Sequence, residues 1–211
     1  QTAKQVVIQR IREAERDLIY EEYIDREEDI VTGLIQRFEQ KNVIINLGKT
    51  EAILAPSEQM PGETYKQGDR LKAYVLEVKK TTKGPQILVS RTHPGLLKRL
   101  FELEVPEIYN GDVEIKAIAR EPGNRSKVAV FSRHKDVDPV GACVGPKGNR
   151  VQSIVGELKG EKIDIMEWDE DPEIVVARAL SPAKVLKVEI FPDNKSALVV
   201  VPDYQLSLSI G

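Results

Sequence analysis

The period of the hydrophobic positions changes along this chain. Ala3, Val7, Ile11, Ala14 and Leu18 recur at alternating spacings of four and three, the apolar stripe of an amphipathic helix over residues 1 to about 28. Such a stripe needs a partner surface. The helix is expected to be either the tail of an upstream domain or a helix that docks on the next module. From Asp29 to Ser90 the period falls to two, in the runs DIVTGLIQRFE, NVIINL, TEAILAP, DRLKAYVLEVKK and QILVSR. Turn signals at Asn46-Leu47-Gly48-Lys49, Pro61-Gly62 and Lys83-Gly84-Pro85 separate them, and about five strands closing a small antiparallel barrel are predicted.

After Pro94 the helical period returns in GLLKRLFELEVPEIYNG, with Leu97, Leu100, Phe101 and Leu103 on one face and a stop at Pro106. VEIKAIARE and SKVAVFSRH then form a hairpin across Pro122-Gly123-Asn124-Arg125. A helix opens near Asp138-Pro139, a second helix NRVQSIVGEL follows Gly145-Pro146-Lys147-Gly148, and KIDIMEW makes a third strand. The unit reads helix, strand, strand, helix, helix, strand. Residues 172–211 repeat its opening: PEIVVARAL as helix, KVLKVEIFPD and KSALVVVP as a hairpin across Asp193-Asn194, and DYQLSLSIG as the next helix. Gly211 stands 66 residues after Gly145, which suggests a tandem module whose second copy stops before its loop is complete.

The 211 residues fit two or three small domains, and 41% hydrophobic with 31% charged content suits ordinary cores under well-solvated surfaces. No run approaches the length of a membrane span and the first residues lack the apolar region of a signal peptide, so no membrane partner and a cytoplasmic location are expected. One cysteine, Cys143, excludes an internal disulfide, and two distant histidines, His93 and His134, make a zinc site improbable. Paired carboxylates such as Glu21-Glu22 and Glu27-Glu28 stand in no catalytic frame. No enzyme activity, cofactor or metal is expected.

The net charge of −3 conceals segregation. Lys116, Arg120, Arg125, Lys127, Arg133 and Lys135 face only Glu121 between residues 116 and 135, a local +5. Glu161, Asp164, Glu167, Asp169, Glu170, Asp171 and Glu173 face only Lys162 between 161 and 173, a local −6. A basic hairpin feeding Gly145-Pro146-Lys147-Gly148 is the electrostatic footprint expected for a phosphodiester backbone. A Gly-x-x-Gly turn admits a phosphate close to the backbone, the following helix offers its N-terminal dipole, and Lys147 at the tip adds a cation. Four nucleotides of single-stranded RNA are the ligand of such a loop. Gly-x-x-Gly also makes ordinary turns, and its place between two short helices, after a hairpin and before a third strand, favours the nucleic-acid reading. A Walker loop is excluded by length and by the lack of Gly-Lys-Ser/Thr. Cys143 reads as a small core residue. In the barrel Phe38, Tyr65 and Tyr74 are the candidate stacking platforms, each equally able to fill the core.

These motifs together resemble known modules. DIVTGLIQRF, YKQGDRLKAYVLEV and ILVSR are similar to the S-one type of OB-fold repeat, and EIKAIARE, VAVFS and DPVGACVGPKGNRVQSIVGELKGEKIDIMEW are similar to a prokaryotic-type KH domain. An S-one repeat followed by two KH domains resembles the NusA family of bacterial transcription elongation factors, and DPVGACVGPKGNRVQ followed by GEKIDI carries most of that likeness. The resemblance implies a multidomain fold, an all-β OB-fold barrel followed by α+β type II KH domains and preceded by an α-helix. The implied limits are 1–28 for the end of a polymerase-binding domain, 29–93 for the barrel, 94–171 for the first KH domain and 172–211 for part of a second. It implies a cytoplasmic, non-enzymatic factor that modulates RNA polymerase pausing, termination and antitermination through nascent single-stranded RNA. RNA polymerase and other antitermination factors would be partners through the parent protein. The expected RNA-binding residues are Gly145, Pro146, Lys147, Gly148 and Arg150, the hairpin cations Arg125, Lys127 and Arg133, and Asp69 and Arg91, which match polar positions of the S-one pattern. Glu39-Gln40-Lys41-Asn42-Val43 stands where that pattern has aromatics, so base stacking on the barrel is expected to be weak. The tail of a phosphorolytic exoribonuclease also combines these modules, but there KH precedes S-one. A ribosome-associated RNA-binding factor is the other alternative.

Overall fold

The computed structural model describes residues 2–210. The chain forms two compact units, one built from the chain up to Leu100 with Pro122–Asn124 and Gly156–Gly160, the other from Phe101–Glu121, Arg125–Val155 and Glu161 onward.

In the first unit, helix α1 (Ala3–Ile24) is opened by a reciprocal capping box between Thr2 and Gln5. Its predicted stripe is not its packing face: Ala3, Val7, Ile11, Ala14 and Leu18 are all exposed. Ile19, Tyr20, Tyr23 and Ile24 at the C-terminal end pack on the barrel core instead. Strands β1 (Ile30–Glu39), β2 (Asn42–Asn46), β3 (Glu51–Leu54), β4 (Arg70–Thr81) and β5 (Gly84–Ser90) then close a barrel in the order β1-β2-β3-β5-β4. Val31, Ile35, Val43, Ile45, Leu54, Val75, Ile87 and Val89 fill its interior at alternate positions. The expectation of an all-antiparallel barrel is corrected at one seam, because β3 and β5 run parallel. Five strands in a closed ring cannot all alternate in direction, so one parallel pair is unavoidable.

Helix α2 (Pro94–Glu104) buries Leu96, Leu97, Leu100 and Phe101 and leaves Leu103 exposed. The expected inward position of Leu103 is thus taken by Leu96. His93 caps the helix start, its Nδ1 accepting from the Gly95 amide at 2.9 Å. The short helix α3 (Pro106–Tyr109) follows, so Pro106 ends one helix by opening another.

In the second unit, strands β6 (Val113–Glu121) and β7 (Arg125–Ser132) pair as the predicted hairpin, and β8 (Lys162–Glu167) adds parallel to β7, giving the order β6-β7-β8. Helices α4 (Pro139–Val144) and α5 (Asn149–Glu157) lie between β7 and β8 in sequence, and α4 packs against both strands. Pro139, Cys143, Val151 and Ile154 are buried on these helices. Helix α6 (Pro172–Ala179), the hairpin of β9 (Lys187–Phe191) and β10 (Ser196–Val200), and helix α7 (Leu206–Ile210) repeat the helix, strand, strand, helix order. Lys195 takes the left-handed conformation that closes the Asp193-Asn194 turn. The glycine predicted to match Gly145 in this second copy, Gly211, lies outside the described residues.

Candidate nucleic-acid interface

The loop of the second unit is shaped by its own sequence. Asp138 caps α4, its side chain accepting from the Val140 amide at 3.1 Å, and Pro139 occupies the first helical position, where its missing N–H costs nothing. Gly145 ends α4 at φ 74°, Lys147 sits at φ 53° and Gly148 at φ 77°, so three of four residues have positive φ and the chain reverses into α5. The amide of Gly148 donates to Gly145 O at 3.0 Å, and that of Asn149 donates to Pro146 O. Lys147, a non-glycine residue in the left-handed region, stands exposed at the tip. Among the described residues its side chain has no ion-pair partner. The loop thus places an exposed cation at the N-terminal side of α5.

Arg150 is differently placed. Its Nη1 donates to Glu107 Oε2 at 2.9 Å and to Ala142 O at 2.7 Å, which turns the guanidinium back into the fold. Beneath the loop, burial pushes the Cys143 thiol up to about 12, with Glu107 adding to the shift and Arg150 opposing it. A thiol held protonated in a fully buried position is not a nucleophile.

The charge segregation has a structural explanation that the sequence did not expose. Because β7 and β8 are parallel neighbours, with Lys127 opposite Asp164, the basic and acidic stretches lie side by side. Arg120 donates to both oxygens of Glu161 at 2.9 and 3.0 Å, Ser126 Oγ adds a bond of 2.6 Å, and both charged side chains are fully buried. Arg125 binds Asp164 at 2.6 Å. Lys127 donates to the carbonyls of Ala179 and Ser181 and lies 3.8 Å from Asp164. Lys116 sits over the rings of Phe131 and Trp168, 5.4 and 5.2 Å from their centroids. The expected open basic groove is therefore corrected: strands at pairing distance neutralise most of its charge internally. Arg133 remains exposed, with only a loose 3.6 Å approach to Glu114. The acidic stretch is absorbed in the same way. Glu167 and Asp169 approach Arg178, and Asp171 caps α6 by accepting from the Glu173 amide at 2.9 Å.

In the first unit Arg91 has no exposed surface. It meets Glu63 at 2.5 and 3.0 Å, Lys72 O at 2.9 Å and Glu157 O at 3.0 Å. Tyr65 joins the cluster by donating to Glu63 at 2.8 Å, and burial, with the Glu63 charge, raises its phenol above the ordinary range. The expectation that Arg91 meets RNA is corrected, since its guanidinium is spent inside the fold. Asp69 is exposed. Of the three aromatic candidates, Tyr65 is half-buried and hydrogen-bonded, Tyr74 is buried and stacks on His93 at 4.5 Å, and Phe38 is half exposed. The cluster of Lys116, Phe131 and Trp168 was missed, although Trp168 as the sole tryptophan was the available signal.

The architecture defines a class: a five-stranded OB-type barrel followed by a mixed α/β module with a Gly-x-x-Gly loop, the combination of S-one and KH folds. The profile of the S1 RNA binding domain matches residues 24–90, that of the NusA-like first KH domain residues 91–168, and that of the NusA-like second KH domain residues 172–211. Over its whole length the chain is 65% identical to the transcription termination/antitermination protein NusA of Halalkalibacterium halodurans, covering 55% of that relative. It is also 65% identical to the protein of that name from Bacillus subtilis, covering 57% of it, and 50% identical to that from Thermus thermophilus, covering 55%. Over its whole length the chain is similar to NusA proteins. It spans a little over half the length of these relatives.

Proposed function

We propose that this chain is the RNA-binding region of a transcription elongation factor that modulates pausing, termination and antitermination by RNA polymerase through nascent single-stranded RNA. The observation that carries this reading is the barrel followed by NusA-like KH modules, with Lys147 exposed at the tip of the first Gly-x-x-Gly loop. The order of the modules favours it over an exoribonuclease tail, in which KH precedes S-one. Gly145, Pro146, Lys147 and Gly148 form the phosphate-binding loop in this reading, with Arg133 as an outlying cation. Arg125 and Lys127 contribute only when Asp164 and the Ala179 and Ser181 carbonyls release them. The module limits follow the sequence reading, 29–93 for the barrel, 94–171 for the first KH module and 172–211 for the second. RNA polymerase and antitermination factors are the protein partners, and the compartment is the cytoplasm. No described helix is long and apolar enough to cross a membrane.

Replacing Lys147 and Gly148 with Asp tests the loop. Affinity for a panel of single-stranded RNAs should be largely lost while circular dichroism stays unchanged, and undiminished affinity would sink the assignment. At the level of activity, adding the chain to polymerase at a pause or terminator should alter the yield of that event, and the doubly substituted chain should lose the effect.

A further inference from the structure

We infer that Arg150 is a positioning residue, which braces the Gly-x-x-Gly loop from behind and makes no contact with the phosphate. The reasoning begins with Ala142. The carbonyl of a residue in the last turn of a helix seeks the amide four residues on, and for Ala142 that residue is Pro146, which has no N–H. The orphaned acceptor is satisfied by Arg150 Nη1 at 2.7 Å. The same Nη1 lies 2.9 Å from Glu107 Oε2 on α3, so a side chain from the first turn of α5 fastens the end of α4 to a third helix. This clamp spans the loop. A Cβ built on Gly145 would lie 2.6 Å from Arg150 Cγ and 2.9 Å from its Cβ, so the absence of a side chain at Gly145 leaves the arginine stem its path across the turn. Gly145 thus serves the clamp as well as the backbone reversal.

The clamp accounts for the left-handed conformation that Lys147 holds at the tip. With α4 tied to α5 through Arg150, the four loop residues have little freedom to relax, and the tip cation is presented in one orientation. Ordering the loop before RNA arrives lowers the entropy lost on binding. The inference rests on the reading that this loop holds RNA, and Glu107 separates it from a direct contact by sign. If Arg150 met a phosphate, removing the competing Glu107 carboxylate would free it and strengthen binding. If Arg150 is a brace, the same change weakens binding even though it removes a negative charge from the loop.

The test compares Glu107→Ala, Arg150→Gln and Lys147→Gln in the 211-residue chain, by RNA titration over a range of salt and by amide hydrogen exchange without RNA. Arg150→Gln and Glu107→Ala should each weaken RNA binding, the former about tenfold as expected for loss of a hydrogen bond to a charged group. In the double variant the two losses should not add. Exchange at the Lys147–Asn149 amides should quicken in both while the thermal midpoint stays put, which separates loop positioning from a general loss of stability. The slope of log affinity against log salt should be unchanged in Arg150→Gln and smaller by about 0.7 in Lys147→Gln, because only the latter loses a phosphate contact. Tighter or unchanged RNA binding in Glu107→Ala, or a reduced salt slope in Arg150→Gln, overturns the brace. Unchanged RNA affinity in Lys147→Gln would instead count against the loop as an RNA site, and amide exchange would still report whether Arg150 holds it.

Discussion

Arg120 and Glu161 stand 41 residues apart in sequence and meet with no exposed surface on either side chain, Ser126 completing the carboxylate's shell. Charges so deeply buried are tolerated only because each is paired and hydrogen-bonded. Arg120→Met should leave the Glu161 carboxylate without its counter-charge and cost about 3–5 kcal/mol, whereas replacing both residues with well-packed apolar ones should be close to neutral. Urea unfolding followed through Trp168 measures the difference, and equal losses in the two variants would contradict it. At this scale the sequence was a partial guide. The residue types Gly145, Lys147 and Gly148 point to the loop without any fold, because positive φ and an exposed cation are local properties. Arg91 shows the limit: an arginine looks alike in sequence whether its fork meets solvent or, as here, a buried acceptor.

Elements were legible where periodicity is unbroken and illegible where packing selects among several apolar faces. The five barrel strands, the first hairpin and the paired helices lie where alternation and turn chemistry place them. Helix α1 shows the converse, since its most regular stripe is solvent-facing and the irregular group Ile19, Tyr20, Tyr23 and Ile24 is the one that packs. Inside β1, Gly33 marks a crowded point. A Cβ there would meet the backbone oxygen of Asn46 and lie 2.5 Å from Ile45 Cγ2 on the neighbouring strand. Gly33→Ala should therefore destabilise the barrel by about 1–3 kcal/mol through overpacking, despite alanine's better backbone entropy. A denaturation midpoint equal to or above that of the parent would show that β1 and β2 can separate without cost.

At the scale of the whole chain, the +5 and −6 stretches hidden within the net charge of −3 lie beside each other and not on separate faces. The parallel register of β7 and β8 sets Arg125 and Lys127 beside Asp164, so much of the basic potential is quenched before solvent sees it. Asp164→Asn should release Arg125, while the Ala179 and Ser181 carbonyls keep Lys127, and so strengthen RNA binding at low ionic strength and steepen its salt dependence, the gain fading as the screening length shortens to about 3 Å near 1 M salt. An unchanged salt slope would mean that Arg125 never reaches the RNA. By itself the sequence determined the order of modules, the position of the loop and the identity of its tip cation, since these depend on short-range pattern, proline, glycine and charge. Which arginines face solvent, where the acidic stretch goes and what braces the loop were decided only by tertiary structure, because each depends on strand register and on acceptors contributed by distant residues.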